Sequence, residues 1–263
     1  MTIAAEEVKA CCGAAYASPA ARWLLGPSFH PGGAALTSRL IEALGVGSGA
    51  TAVDIASGPG TSSIQLARET GCSVIGVDIS PASIAAARRA AEEAGLDGQV
   101  RFVVGDAEAL PLADESVDGI LCECALCTFP DKAAAAREMA RVLRRGGRVA
   151  LSDMTAARDR LPPELTTLPG WIACLGGARP LEEIVAQLAA AGLVVEETER
   201  RTEALAELIE RVDARLRAAR VMEHGLPDSL RDGIGRGLEL AAAARAAVEA
   251  GSLGYGVVLA RRP

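Results

Sequence analysis

What the 263-residue chain has little of narrows its function before any motif does. Histidine occurs only twice, at His30 and His224, and aromatic residues make up 3% of the chain. Alanine and arginine are abundant, so the aromatic scarcity reads as coding bias rather than a functional signal. Positive charge is not in surplus: the formal net charge of −7 disfavours a broad phosphate-binding surface, which makes RNA or DNA a poor partner. No apolar run approaches the ~20 residues of a membrane span, and the N-terminus lacks the basic-then-apolar order of a secretory signal. A soluble, cytoplasmic protein with no membrane or nucleic-acid partner is expected. The seven cysteines are an odd number, and reduced thiols suit them better than a disulfide framework.

What is present is a strand–turn–helix–strand unit, Thr51 to Ser80, around which the rest is organised. Thr51–Ile55 is short, β-branched and apolar except for Asp54, as a parallel strand covered on both faces should be. The strand stops at Asp54-Ile-Ala-Ser-Gly-Pro-Gly60. There Gly58 and Gly60 let the backbone turn close to a ligand, and a helix from Thr61 to Glu69 offers its free N–H groups. A second strand, Cys72–Val77, leads to Asp78, 20 residues beyond Gly58, where an acid accepts hydrogen bonds from both hydroxyls of a ribose. This spacing does not name the cofactor, because dinucleotide enzymes follow a similar plan with G-x-G-x-x-G. Here the pattern is D-x-A-x-G-x-G: Ser63 stands at the third glycine, and Asp54 would repel a pyrophosphate but suit a cationic ligand.

The unit resembles the first motif, usually D-x-G-x-G, of the class I S-adenosylmethionine-dependent methyltransferases, with Ala56 in place of the first glycine. A helix Pro81–Gly95, a strand Val100–Val104 ending in Gly105-Asp106-Ala107, a strand Ser116–Cys122 and the turn and strand of Arg141–Ser152 extend the resemblance over Leu44–Asp153. It implies a Rossmann-like α/β fold, a seven-stranded, mostly parallel sheet with helices on both faces, and S-adenosyl-L-methionine as cofactor. It further implies a cofactor site of Asp54, Ala56, Gly58, Gly60, Asp78 and Ile79, with Asp106 and Ala107 at the adenine ring. Glu123 either lines that pocket or is a solvated acid at the strand's edge. One domain over 1–263 is expected, with an N-terminal helical lid over 1–50, a cofactor-binding core over 51–153, and over 154–263 a substrate cover, C-terminal helices and a last strand.

Outside the core, helices are expected over Ala4–Ala17, Ala34–Leu44, Pro180–Ala191, Glu203–Glu223 and Leu230–Ala250, with strands at 192–199 and Leu253–Ala260. In the family the last strand runs antiparallel beside the fifth. The proline- and glycine-rich stretch 159–183 is too long for a simple connection and suggests a functional cover. His30, beside the turn His30-Pro-Gly-Gly33, is either catalytic or, more commonly for a lone histidine, a packing group.

The chemistry-bearing residues are cysteines. Cys122-Glu-Cys-Ala-Leu-Cys-Thr-Phe-Pro-Asp-Lys132 follows the fourth strand, at the carboxyl edge where open α/β sheets bind substrates. Cys174-Leu-Gly-Gly-Ala178 lies in the proposed cover, 50 residues beyond Cys124. Both stretches resemble those of the arsenite methyltransferases, which carry one cysteine ahead of Pro-Asp-Lys and another in Cys-x-x-Gly-Ala. The resemblance implies that Cys124 and Cys174 are catalytic and hold trivalent arsenic as substrate, with a reducing thiol as partner. Thiolates suit that atom because soft centres prefer sulfur to oxygen. Arsenic's lone pair would then attack the sulfonium methyl with no general base, in keeping with so few histidines.

Cys11 and Cys12 are the possible counterparts of the family's further upstream cysteines, Cys127 reads as a spectator, and Cys72 and Cys122 as core. C-x-C-x-x-C could instead bind zinc, but no fourth ligand is visible at compact spacing. Two other functions stay open: methylation of a small organic acceptor such as a quinone or phenol, and a non-catalytic metalloid- or cofactor-binding protein.

Overall fold

A computed structural model describes residues 4–221 and 228–263, the side chains of Trp171 and of residues 228–230 excepted. Three helices precede the sheet: α1 (Ala5–Tyr16), α2 (Pro19–Leu25) and α3 (Gly33–Leu44). The core then alternates β1 (Thr51–Ile55), α4 (Thr61–Thr70), β2 (Ser73–Asp78), α5 (Pro81–Glu93), β3 (Val100–Val104), β4 (Val117–Glu123), α6 (Lys132–Val142) and β5 (Leu143–Ala156). After it come α7 (Leu168–Ile172), α8 (Leu181–Ala190), β6 (Val194–Arg200), α9 (Thr202–Val221), α10 (Asp228–Glu249) and β7 (Leu253–Arg261). Met222 and Glu223, expected at the end of a helix, and His224 lie outside the described residues.

The seven strands lie in the order β3-β2-β1-β4-β5-β7-β6, with β1 to β5 parallel and β7 antiparallel to both its neighbours. This is the Rossmann-like, mostly parallel sheet expected from the sequence. The chain winds outward from β1 in both directions, so a crevice opens between β1 and β4 at the carboxyl edge. Asp54, Asp78 and Glu123, each in the last two residues of its strand, are thereby gathered at one rim.

Alternation along the strands sends neighbouring side chains to opposite faces. Ala52, Val74, Leu121 and Ala150 pack with α3, α4 and α5, while Val53, Ile75, Ile120 and Leu151 pack with α6 and α8. Both faces are covered, which explains why these strands read as apolar runs. Helix starts follow side-chain capping: Ser80 Oγ accepts from Ser83 N ahead of α5, and Asp131 Oδ1 accepts from Ala134 N ahead of α6. The Ser18-Pro19 start of α2 is a capping signal of the same kind, with Ser18 Oγ accepting from Ala21 N at 3.1 Å, although the sequence reading left that segment without a helix. Among the described residues, no helix is long and apolar enough to cross a membrane.

Close packing in mid-sheet requires a glycine on β2. A Cβ on Gly76 would fall within the Phe102 ring and 2.9 Å from Ser57 Oγ. Gly76→Ala is expected to destabilise the protein by about 1–3 kcal/mol in urea denaturation. Adding Phe102→Leu should recover part of that loss, because the ring is the main obstacle.

Candidate active site

The crevice holds a cavity of about 140 Å³. Of the residues expected to bind the cofactor, Asp54, Ala56, Gly58, Asp78, Ile79, Asp106, Ala107 and Glu123 all line it. Gly60 does not; it stands behind the wall as the N-cap of α4, and a Cβ there would meet the Phe102 ring at 2.7 Å. Its part is to seat α4 against the sheet.

Asp78 pins the glycine turn in place: its Oδ2 accepts from Gly58 N at 2.9 Å and its Oδ1 from Ser80 N at 2.8 Å. Asp54 is fully buried and accepts from Ser63 Oγ at 2.6 Å, so the serine at the third-glycine position steadies the strand-end acid. Burial pushes the Asp54 carboxyl up to about 8 and raises Asp78 as well, against the lowering effect of their hydrogen bonds. Ser57 Oγ, on the same wall, is buried without a hydrogen-bond partner. Ala56 has φ of 60°, a left-handed backbone in which a glycine would be unstrained.

Glu123 is no solvated edge acid. Its side chain is only 4% exposed and accepts from Thr37 Oγ1 at 3.1 Å, with His30 Nε2 3.6 Å away. His30 is itself buried, its Nδ1 donating to the Pro31 carbonyl, so it walls the cavity and braces Glu123. From the opposite side α1 closes over the opening: Lys9 Nζ bonds Asp106 Oδ2 at 2.7 Å and also pairs with Glu108.

At the inner end of the cavity the fold brings three sulfurs together. The Sγ atoms of Cys124, Cys127 and Cys174 all lie within 4.8 Å of one another, and all three cysteines are free thiols. Cys124 and Cys174 converge as expected from their motifs. Cys127, expected to be a spectator, joins them, while Cys12 stays outside the cluster; burial pushes the Cys12 thiol up to about 12. The signal for Cys127 lay in the C-x-x-C spacing, which a turn after a strand folds back on itself.

Local structure explains the placement. Cys124 and Cys174 adopt φ of 52° and 65°, left-handed backbone that costs each roughly 1–2 kcal/mol. Such strain outside glycine clusters at functional sites. Cys124 N still donates to Ser152 O at 2.7 Å, so the reversal begins as the ladder ends. Buried Asp153 holds the turn, accepting from Cys127 N at 2.9 Å and Met154 N at 2.6 Å, and burial pushes its carboxyl up to about 7. In the Pro-Asp-Lys motif, Asp131 caps α6 while the buried Lys132 ammonium donates to the carbonyls of Phe129 and Cys127. Tyr16 Oη reaches down from α1 to 3.0 Å from Cys174 Sγ. Hydrogen bonds from the Cys124 and Cys127 thiols, with that of Tyr16, hold Cys174 well below the usual thiol range. Burial keeps Cys127 above it. Neither Tyr16 nor Asp153 was singled out by spacing, because each acts through tertiary contacts, whereas Lys132 ties its own turn through carbonyls three and five residues back.

Comparison with known proteins agrees with this geometry. A family model described as a methyltransferase domain matches residues 47–211. The chain is 38% identical over 152 residues to the methyltransferase GfsG of Streptomyces halstedii, covering 58% of this chain and 54% of that protein. It is 35% identical over 149 residues to an arsenite methyltransferase of Halobacterium salinarum, covering 55% and 37%. The chain thus spans about half the length, or less, of these curated relatives. Among solved structures, the [4+2]-cyclase SpnF superposes with a TM-score of 0.80 over 95% of both chains at 22% identity, a likeness of fold alone. The chain belongs to the methyltransferase-domain family.

The buried Asp54 gives a pH signature. Below its unfolded value near 4 both states are protonated and no cost arises. As pH climbs toward the native value of about 8, the unfolded state gains relative stability because it sheds the proton first. Stability is expected to fall by more than about 1 kcal/mol between pH 5 and pH 8, and Asp54→Asn to flatten that part of the slope, read by urea denaturation at each pH.

Proposed function

We propose that this methyltransferase transfers a methyl group to trivalent arsenic held by Cys124, Cys127 and Cys174. The observation that carries the reading is the cluster of three thiols within 4.8 Å of one another, Cys127 and Cys174 buried and Cys124 half-buried, reached from the cofactor cavity through Cys124. Similarity to an arsenite methyltransferase supports it.

The cavity fits the cofactor. Three carboxyls, Asp54, Asp78 and Glu123, face a ligand that carries positive charge, and the unpartnered Ser57 hydroxyl awaits a polar group. Asp78 would hold the ribose, Asp106, Ala107 and Ile79 the adenine, and Asp54 and Glu123 the charged end. When bound, S-adenosylmethionine supplies an electrophilic sulfonium methyl.

The thiols then do the protein's share. Arsenous acid exchanges its three hydroxyls for three cysteine sulfurs, releasing three waters and leaving arsenic pyramidal with a lone pair. That lone pair would take the methyl the cofactor supplies, an As–CH₃ bond replacing an S–CH₃ bond whose electrons stay with the thioether, and arsenic would pass from the trivalent to the pentavalent state. Three waters then displace the cysteines, giving methylarsonic acid, three thiols and one proton. A reducing thiol in the surroundings keeps the cysteines unoxidised. No residue has to remove a proton from the nucleophile, so catalysis rests on alignment and exclusion of water, which can supply several kcal/mol.

A second reading, methylation of a small organic acceptor, draws support from an apolar cavity beside the thiols. A non-catalytic metalloid-binding role would give tight arsenite binding without product.

Incubation of reduced protein with S-adenosylmethionine and arsenite is expected to give methylated arsenic, resolved by arsenic speciation. Cys124→Ser and Cys174→Ser should abolish it, and Cys127→Ser should weaken arsenite binding at least tenfold. Full turnover of the Cys124→Ser/Cys174→Ser double variant on an organic acceptor would favour the second reading. Asp78→Ala is expected to weaken cofactor binding by roughly 1.5–3 kcal/mol in calorimetry, the worth of a charge-assisted hydrogen bond; unchanged affinity would remove Asp78 from the site.

A further inference from the structure

The turn His30-Pro-Gly-Gly33 supplies none of the carboxyls or thiols of the site, yet it ends against one of them. Its glycines explain its shape. Gly32 and Gly33 have φ of 82° and 53°, left-handed backbone, and a Cβ on Gly32 would meet Leu36 Cβ at 2.7 Å. The reversal carries the chain into α3 while His30 stays beside the second turn of that helix, where Thr37 stands. Both side chains are buried. His30 and Glu123 line the cofactor cavity, and Thr37 stands behind them.

The contacts among the three are directional. His30 Nδ1 lies 3.1 Å from the Pro31 carbonyl, which fixes the ring with Nε2 facing Thr37 Oγ1 at 3.3 Å and Glu123 Oε1 at 3.6 Å. Thr37 Oγ1 has several acceptors in reach: Glu123 Oε1 at 3.1 Å and Oε2 at 3.2 Å, His30 Nε2 at 3.3 Å and Gly33 O at 3.4 Å. It has one hydrogen to give, and the carboxylate is the strongest of these acceptors. The near-equal distances to Oε1 and Oε2 mean that both oxygens share that hydrogen. A carboxylate accepts up to about four hydrogen bonds, so Thr37 leaves capacity for a donor that enters the cavity. Asp54 and Asp78 line the same cavity, which favours a donor carrying positive charge. Lys9, on the same cavity wall, is bonded to Asp106 and Glu108. The cofactor brings such a donor, its α-ammonium.

We infer that His30 and Thr37 are positioning residues, which hold the Glu123 carboxylate turned into the cavity so that it receives the cofactor's ammonium. The inference rests on the cofactor placement proposed above, with Asp54 and Glu123 at the charged end, and is independent of the methyl acceptor. Glutamate has three rotatable bonds, and at the end of a strand nothing local fixes them. A carboxylate already held in place loses less freedom when the ligand arrives, and the affinity gained is confined to the part of the ligand it touches.

The test compares two ligands by calorimetry on the full chain. S-adenosylhomocysteine carries the ammonium; methylthioadenosine has the same adenosine and a thioether but no amino-acid end. Thr37→Val, which removes the hydroxyl and keeps the shape, and His30→Leu are each expected to weaken S-adenosylhomocysteine about tenfold and to leave methylthioadenosine within about twofold. Thr37→Ser, which keeps the hydroxyl, should bind S-adenosylhomocysteine within about threefold of the unaltered chain. In a Glu123→Gln background, Thr37→Val should add less than about twofold, because Thr37 acts through that carboxylate. Equal weakening of both ligands, or a serine that does not restore affinity, means a structural role and overturns the inference. Unchanged S-adenosylhomocysteine affinity in Thr37→Val and His30→Leu overturns it too, and Glu123→Gln then separates the two causes. If Glu123→Gln is weakened, Glu123 binds the ammonium without help from the turn, and the cofactor placement stands. If Glu123→Gln binds like the unaltered chain, Glu123 is not at the charged end, and that placement falls with the inference.

Discussion

Three sulfur atoms held within 4.8 Å of one another are the constraint on which the rest of the site depends. Two come from one turn and the third from a segment 50 residues later, so no local preference assembles them. The cost is visible in two cysteines with left-handed backbone, and it is met by buried ties: Asp153 to the amides of Cys127 and Met154, and Lys132 to the carbonyls of the same turn. A buried carboxyl and a buried amine thus flank the sulfurs.

The cofactor half of the site was legible because its geometry is set by strands close in sequence. Asp54 and Asp78 end adjacent strands whose pairing Ile55↔Val77 follows from the short crossover through α4, and the glycine turn lies between them. Glu123 was half legible: alternation gave its direction, but only tertiary packing by Thr37 and His30 decided that it is buried. The pairing of Cys124 with Cys174 was legible only through motif resemblance, since spacing says nothing about a contact between a strand end and a distant loop. Cys127 was marked by its C-x-x-C spacing though read as a spectator, whereas Tyr16 and the larger cavity were out of reach, because each depends on how α1, α2, α9 and α10 pack over the carboxyl edge.

Fold and function separate along the same line. The sheet and its glycine turn are shared with proteins as different in chemistry as a [4+2]-cyclase and methyltransferases. What distinguishes this chain sits on the additions to that sheet, on the turn after β4, the 157–180 segment and the helices that roof them. There Tyr16, Phe29 and Cys124 divide a cavity at the carboxyl edge of the sheet from a larger one under the helical roof.

Helix α1 is fastened at both ends of that partition. Lys9 holds it to Asp106 at the adenine end, and, two turns later, Tyr16 holds it to Cys174 at the sulfur end. A rigid rod so attached cannot lift from one chamber without loosening its grip on the other. Movement of the helix at one cavity is thereby tied to movement at the other.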